Sequence, residues 1–163
     1  MAKEIERKYL LSHLPDDLVI TRTQEIDQTY LASTEHESLR VRRLLSAGEE
    51  SFTMTHKAGR GISRDETEFA IGHELYEQLT ERLQVIPLRK TRHKVQLDGR
   101  SYDLDIYHNT VQQGLMTIEI EFDSEDDYHA YEAPSWFGED VTEQGTYVNS
   151  QLWQDIQEQA QQG

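Results

Sequence analysis

Cysteine is absent from this 163-residue chain, and proline occurs only three times. Without cysteine the protein has no disulfides, no cysteine-ligated zinc site and no thiol nucleophile. No apolar run approaches the ~20 residues of a membrane span, and the N-terminus lacks the apolar stretch of a signal peptide. We therefore expect one domain over residues 1–163, located in the cytoplasm and without membrane contact.

Positive charge is scarce, because 16 Lys and Arg accompany 31 Asp and Glu and the formal net charge is −15. Such a balance disfavours nonspecific attraction to nucleic acids or anionic membranes. Hydrophobic residues make up 36% of the chain, which predicts a modest core, whereas 9% aromatic residues argue against disorder. The seven histidines show no zinc-binding spacing, so a zinc site is improbable as well.

Alternation of polar and apolar residues dominates the chain and predicts β-strands, because successive strand side chains point to opposite faces. Helical spacing over 72–84, an N-cap at Ser124 with an end near Pro134, and an apolar stripe from Asn149 predict three helices. Gly59–Gly61 and Asp98–Gly99 are typical of turns. The fold class is therefore α+β, with eight antiparallel strands in a barrel and helices packed outside. The alternating runs are Glu4–Leu10, Gln28–Leu31, Leu39–Arg42, Phe52–Lys57, Glu66–Ile71, Arg89–Val95, Tyr102–Ile106 and Thr117–Phe122.

Acidic residues occur as pairs two positions apart in four of these runs. One such strand is explained by a solvated face. Four pairs on one sheet surface would repel each other at the roughly 7 Å spacing of same-face neighbours, unless cations lie among them. Divalent ions are suited to this environment because they prefer oxygen ligands. The pairs are Glu4/Glu6, Glu66/Glu68, Asp103/Asp105 and Glu119/Glu121.

Basic residues share the same strand phase as these acids, and the opposite phase is apolar. If the apolar phase packs against the helices, the charged phase lines a lumen that suits an anionic substrate together with metal ions. The reverse arrangement, with apolar residues inside, leaves the helices' apolar stripes uncovered; periodicity alone leaves both open. The bases are Lys8, Arg40, Arg42, Lys57, Lys90, Arg92 and Lys94.

The N-terminal residues Glu4-Ile5-Glu6-Arg7-Lys8 resemble the E-x-E-x-K signature of the CYTH superfamily, the triphosphate tunnel metalloenzymes. Further motifs follow in family order over essentially the whole chain, ending with Trp136–Thr142 and Tyr147–Asn149. The short bacterial inorganic tripolyphosphatases are the most similar members. The resemblance implies an eight-stranded tunnel, Mg²⁺ or Mn²⁺ as cofactor, and hydrolysis of the terminal phosphoryl group of inorganic tripolyphosphate.

The same resemblance implies roles for individual residues. Glu4, Glu6, Glu119 and Glu121 would bind metal, with Glu68 and Asp105 as further ligands or as supports of the ligands. Lys8, Arg40, Arg42, Lys57, Lys90 and Arg92 would hold phosphate oxygens. Lys8 would also position or activate the attacking water, with Tyr30 or Lys90 beside it.

Several alternatives stay open at this point. Within the enzyme class they are a class IV adenylate cyclase and a thiamine or nucleoside triphosphatase. Outside it, a noncatalytic polyphosphate- or nucleotide-binding module would need the bases but not the four acid pairs. The sequence leaves the oligomeric state open, with a homodimer as one alternative.

Overall fold

Eight antiparallel strands close into a barrel in the order β1-β5-β4-β3-β2-β6-β7-β8. The structure is a computed structural model that describes residues 2–59 and 61–162. The predicted α+β class and eight-stranded barrel are thereby confirmed. The strands are β1 Ala2–Leu10, β2 Val19–Ser33, β3 Glu37–Ser46, β4 Glu49–Ala58, β5 Ser63–Ala70, β6 Leu88–Leu97, β7 Arg100–Tyr107 and β8 Met116–Glu121.

The described helices are α1 His73–Leu83, α2 Glu125–Ala130 and α3 Asn149–Gln162, with a 3₁₀ turn at Gly145–Tyr147. At the start of α2, the Ser124 hydroxyl accepts a hydrogen bond from the Asp127 amide, as its N-cap sequence predicts. None of the described helices is long and apolar enough to cross a membrane.

The apolar phase of the strands faces outward and packs against helices and connecting segments. Val95, Leu104 and Ile118 are almost fully buried in the largest apolar cluster, against Tyr128 of α2. A smaller cluster joins Phe52 of β4 to Tyr76 of α1, with ring centroids 4.9 Å apart. Each such side chain contributes about 1.5–3 kcal/mol by leaving water. Most of the hydrophobic core therefore lies outside the barrel wall, which leaves the middle of the interior to polar groups.

Two predicted elements have the wrong extent. The second strand is much longer than the predicted 28–31. Residues 21–25 are polar without interruption, so no alternation marks this part of the strand. Helix α2 ends at Ala130 rather than near Pro134, since Tyr131 turns to an extended conformation and its hydroxyl pairs with that of Tyr102 at 2.8 Å.

The two predicted turns have different outcomes. At the β6–β7 hairpin, Asp98 and Gly99 both have positive φ (49° and 76°), which gives the tight turn predicted there. The predicted turn at Gly59–Gly61 contains Arg60, which lies outside the described residues.

The segment Gly138–Thr142 extends the wall of the barrel beside β1. The Leu10 amide donates to the Glu139 carbonyl at 2.9 Å, and the Val141 amide donates to the Lys8 carbonyl at 2.8 Å. A Cβ at Gly138 would lie 2.6 Å from the Leu10 carbonyl oxygen, so this close approach requires glycine. The predicted C-terminal motif is thus part of the wall.

Helix α3 packs at one end of the barrel instead of on its side. Its Leu152 and Ile156 contact Leu88 and Tyr107. Those two strand residues are inward-facing by register, since Leu88 pairs with Gln28 and Tyr107 pairs with Lys90. The apolar stripe of α3 therefore covers the inner surface of that end.

Candidate active site

The inward side chains surround a cavity of about 530 Å³. Strand register explains why they meet: Lys8 lies opposite Glu119, and Arg40 lies opposite Thr55. Acidic and basic residues line the cavity in near-equal number. The charged lining residues are Glu4, Glu6, Lys8, Arg40, Arg42, Lys57, Arg64, Glu66, Glu68, Arg92, Lys94, Asp103, Glu119, Glu121 and Glu143.

Three of these acids form a compact carboxylate group: Glu4, Glu6 and Glu121 each offer an oxygen within 4.8 Å of the others. Burial, followed by the negative charge of Glu119, raises the pKa of Glu6 well above its usual value. Burial and then the charge of Glu4 raise the pKa of Glu121. Carboxylate oxygens gathered in this way, two of them with raised pKa values, fit a divalent cation such as Mg²⁺ or Mn²⁺.

Lys57 links this carboxylate group to Glu66. Its Nζ lies 3.0 Å from Glu4 Oε1 and 3.5 Å from Glu66 Oε2. Burial alone would raise the pKa of Glu4, but a hydrogen bond with Glu66 and the charge of Lys57 lower it to about 2. The same hydrogen bond, together with burial, raises the pKa of Glu66 to about 7. Glu4 is therefore ionised, whereas Glu66 holds a proton up to about neutral pH.

Asp105 is neutralised by two neighbouring cations, and we call Asp105, Lys90 and Arg92 the Asp105 network. Lys90 Nζ lies 2.8 Å from Asp105 Oδ2, and Arg92 donates to both carboxylate oxygens at 2.7 and 2.9 Å. Burial would raise the pKa of Asp105, but the charges of Arg92 and Lys90 hold it far below its usual range. Burial and the charges of two nearby arginines lower the pKa of Lys90 in spite of Asp105.

The buried Arg40 and the half-buried Arg42 present guanidinium groups to the cavity. Arg42 Nη2 donates to Gln28 Oε1 at 3.1 Å. Burial, with the charges of Arg40 and Arg92, lowers the pKa of Arg42 to about 9, so it stays charged at neutral pH. Within the described residues, the buried Nε atoms of Arg40 and Arg42 lack a hydrogen-bond partner. A phosphate oxygen is the type of group that satisfies such donors.

Lys8 is held by the C-terminal segment on one side and by β8 on the other. Its Nζ donates to the Tyr147 carbonyl at 2.7 Å and lies 3.7 Å from Glu119 Oε1. Its backbone amide donates to Thr142 Oγ1 at 3.0 Å. Burial would raise the pKa of Glu119, but the charges of Lys8 and Arg92 lower it.

The predicted site residues converge on this region, with differences in detail. Lys90 and Asp105 lie in the wall and not on the lining of the cavity. Glu68 and Glu119 line the cavity outside the carboxylate group, where Glu68 accepts from Thr55 Oγ1 at 2.7 Å. Because Arg92 and Lys90 occupy both oxygens of Asp105, its geometry suits support of those bases better than metal ligation.

Sequence reasoning assigned no role to some residues of the site. Arg64 lies in the inward phase of Glu66 and Glu68, and Gln28 lies two positions before Tyr30, so strand phase could have found both residues. The segment around Thr142 and Tyr147 has no periodicity, and no sequence signal places it beside Lys8.

Comparisons with known proteins agree with this geometry. The CYTH domain family model matches residues 2–150. The inorganic triphosphatase of Nitrosomonas europaea is 38% identical over 150 residues, which cover 91% of this chain and 95% of that protein. The inorganic triphosphatase of Acetivibrio thermocellus is 30% identical over 158 residues, 93% and 94% of the two chains. A crystal structure of an inorganic triphosphatase superimposes with a TM-score of 0.63 at 34% identity, covering 94% of this chain and 95% of the other.

Proposed function

This chain belongs to the CYTH domain family, and we propose that it is an enzyme that hydrolyses the terminal phosphoryl group of inorganic tripolyphosphate. The observation that carries the proposal is the meeting of a carboxylate group with several buried cations in one cavity. The activity named for the two curated relatives supports the same choice.

We propose that the carboxylate group of Glu4, Glu6 and Glu121 binds a divalent ion, which we expect to be Mg²⁺ or Mn²⁺. When bound, such an ion withdraws electron density from phosphate oxygens and lowers the pKa of coordinated water. Glu119 and Glu68, on the same cavity surface, would contribute further oxygen contacts.

The cations of the cavity would bind and orient the substrate. Arg40, Arg42 and Arg92 point guanidinium donors at the lumen, and Lys57 and Lys8 add ammonium groups. Phosphoryl transfer depends mainly on positioning and on stabilising charge on the transferred group. These five side chains therefore supply the largest part of the catalytic effect of the protein itself.

Lys90 was predicted beside the attacking water, but its Nζ lies in the barrel wall, fully buried and 2.8 Å from Asp105 Oδ2. We therefore propose that Lys90 acts indirectly, by supporting Asp105 and Arg92. Attack of the water oxygen on the terminal phosphorus would break the bridging P–O bond and release pyrophosphate, and the proton that the water loses would pass to an oxygen of the departing pyrophosphate. Lys8 would hold the terminal phosphate during this step, and Tyr30 would donate a hydrogen bond to one of its oxygens.

The composition of the lining favours an inorganic substrate over a nucleotide. Among the described lining residues, Tyr30 is the one aromatic side chain, and its ring packs against Trp153 at 5.9 Å. A nucleobase would find no free ring on which to stack there. Adenylate cyclase and thiamine triphosphatase activities are therefore outcomes to be tested rather than second proposals.

The test is phosphate release from tripolyphosphate, ATP and thiamine triphosphate with Mg²⁺ or Mn²⁺, with cyclic AMP measured in parallel. We expect tripolyphosphate to be the preferred substrate. Lys8→Met should reduce turnover on the order of 10²-fold or more, by analogy with loss of one transition-state donor. Lys3→Met, on the outer face of the same strand, is the matched control. Cyclic AMP as main product, or full turnover by Lys8→Met, would reject the proposal.

A further inference from the structure

Gln28 is a fully buried amide between two residues of the proposed site. It lies on the inward face of β2, paired across the sheet with Arg42 and two positions before Tyr30. Its Oε1 accepts from Arg42 Nη2 at 3.1 Å, and its Nε2 donates to the Tyr30 hydroxyl at 3.2 Å. A buried side chain that uses both ends of its amide on site residues is suited to orienting them.

The orientation of this amide follows from chemistry. A guanidinium only donates hydrogen bonds, so the amide group that faces Arg42 is the carbonyl oxygen. The NH₂ group therefore faces Tyr30, whose hydroxyl oxygen accepts the hydrogen bond. A hydroxyl that accepts from Gln28 directs its own proton away from Gln28.

The Tyr30 ring has little freedom to change this arrangement. It is 6% exposed and packs against Trp153 with ring centroids 5.9 Å apart. The remaining freedom is rotation of the hydroxyl about its C–O bond, and the hydrogen bond from Gln28 restricts that rotation. Because Tyr30 lines the cavity, the hydroxyl proton is available to a ligand there.

We propose that Gln28 is a positioning residue that makes the Tyr30 hydroxyl a hydrogen-bond donor to a phosphate oxygen. This proposal rests on the proposed function for the identity of the ligand. Gln28 also holds Arg42 without cancelling its charge, because the amide is neutral. Asp105 holds Arg92 through a carboxylate and thereby offsets its charge. The full charge of Arg42 is thus left for an anionic substrate.

Gln28→Glu tests the direction of the hydrogen bond with almost no change in shape. A carboxylate still accepts from Arg42, but it also accepts from Tyr30 and so reverses the Tyr30 hydrogen bond. We expect kcat for tripolyphosphate to fall on the order of 10²-fold. In the Tyr30→Phe background the same substitution should lower kcat far less, because the hydroxyl is gone, and its remaining effect should be a higher KM from the carboxylate beside Arg42.

Gln24→Glu is the matched control for the added negative charge. Gln24 is buried on the same strand and the same face, four residues before Gln28. Its substitution should raise KM through weaker attraction of the substrate, with equal effects in the wild-type and Tyr30→Phe backgrounds. Unchanged kcat in Gln28→Glu, or a loss of equal size in both backgrounds, overturns the proposal.

Nuclear magnetic resonance provides a readout that does not depend on turnover. Triple-resonance experiments assign the two side-chain amide protons of Gln28. The chemical shift of one of them should move upfield when Tyr30→Phe removes its hydrogen-bond acceptor. No shift means that this hydrogen bond is absent and overturns the proposal even in an active enzyme. Lack of tripolyphosphate turnover by the wild-type protein, with the shift observed, rejects the proposed function but keeps the orientation of Tyr30.

Discussion

The barrel interior contains two acidic regions with opposite surroundings. In the Asp105 network, one carboxylate is contacted by two buried cations at 2.7–2.9 Å. In the carboxylate group, three carboxylates offer oxygens within 4.8 Å of one another, and among the described residues only Glu4 has a cation, Lys57, within hydrogen-bond distance. The pKa of Asp105 is consequently lowered, and the pKa values of Glu6 and Glu121 are raised.

This difference separates an acid that pairs within the fold from the acids that we propose as metal ligands. Asp105 compensates the charges of Lys90 and Arg92 inside the wall, so its interactions are complete within the protein. Among the described residues, only Lys57 lies within hydrogen-bond distance of the carboxylate group, and the proposed divalent ion would supply the remaining compensation. Removing a negative charge should therefore lower the stability of the protein in the Asp105 network but not in the carboxylate group.

The largest effect should follow from Asp105→Asn. The amide keeps the shape but leaves Lys90 and Arg92 as uncompensated buried charges, which costs about 3–5 kcal/mol of the free energy of unfolding. At roughly 2–4 °C per kcal/mol for a chain of this size, Tm should fall by roughly 6–20 °C. Thermal unfolding followed by circular dichroism measures this directly.

Asp103→Asn is the matched control for that substitution. Asp103 contacts Lys94 at 2.6 Å and Arg92 at 3.4 Å, but its side chain is 24% exposed against 1% for Asp105. Water can solvate Lys94 and Arg92 after the carboxylate is removed, so the decrease in Tm should be clearly smaller than for Asp105→Asn. Equal losses for both variants would show that burial does not distinguish these acids.

Glu6→Gln should behave in the opposite way. Because the raised pKa of Glu6 reflects burial and neighbouring acids, a neutral amide removes an unfavourable charge or replaces a protonated acid. Without metal, Tm should stay the same or rise by a few degrees. The increase in Tm on adding Mn²⁺, expected for the wild-type protein, should be lost. A fall comparable to that of Asp105→Asn would contradict the division into two kinds of acid.

The pH dependence of the free energy of unfolding should reveal the contribution of Asp105 itself. A carboxylate with a lowered pKa in the folded state stabilises the protein above its unfolded pKa, near 3.9, and loses this contribution as the pH falls toward the folded value. The difference in unfolding free energy between wild type and Asp105→Asn should be constant from about pH 7 to 5 and shrink below about pH 4. Urea unfolding over that range measures it. A difference that already shrinks near pH 6 would assign the effect to another group.

The sequence revealed which residues share a face more reliably than which residues meet. Alternation identified the inward phase of Lys8, Arg92 and Asp105 because a strand has a period of two. It could not show that Asp105 would lie between Lys90 and Arg92, since the register between strands depends on packing over the whole barrel.

Two other features were beyond sequence reasoning for similar reasons. Residues 21–25 of β2 are all polar, so the alternation that marks the other strands is missing there. The apolar stripe of α3 was visible, but a stripe does not tell which surface it covers. Leu152 packs against Leu88 at the barrel end, whereas Tyr76 of α1 packs on the outer side.

The smallest effect should come from an ion pair on the outer face of the same barrel. Lys3 and Asp65 lie 2.6 Å apart on β1 and β5, one residue from the inward Glu4, and the Lys3 side chain is 67% exposed. Exposed pairs contribute about 0.2–1 kcal/mol because water solvates both charges when they separate. Lys3→Met should therefore lower Tm by no more than roughly 4 °C in low salt, and by less in 1 M NaCl. A loss as large as that of Asp105→Asn would mean that burial does not decide which acids of this barrel stabilise it.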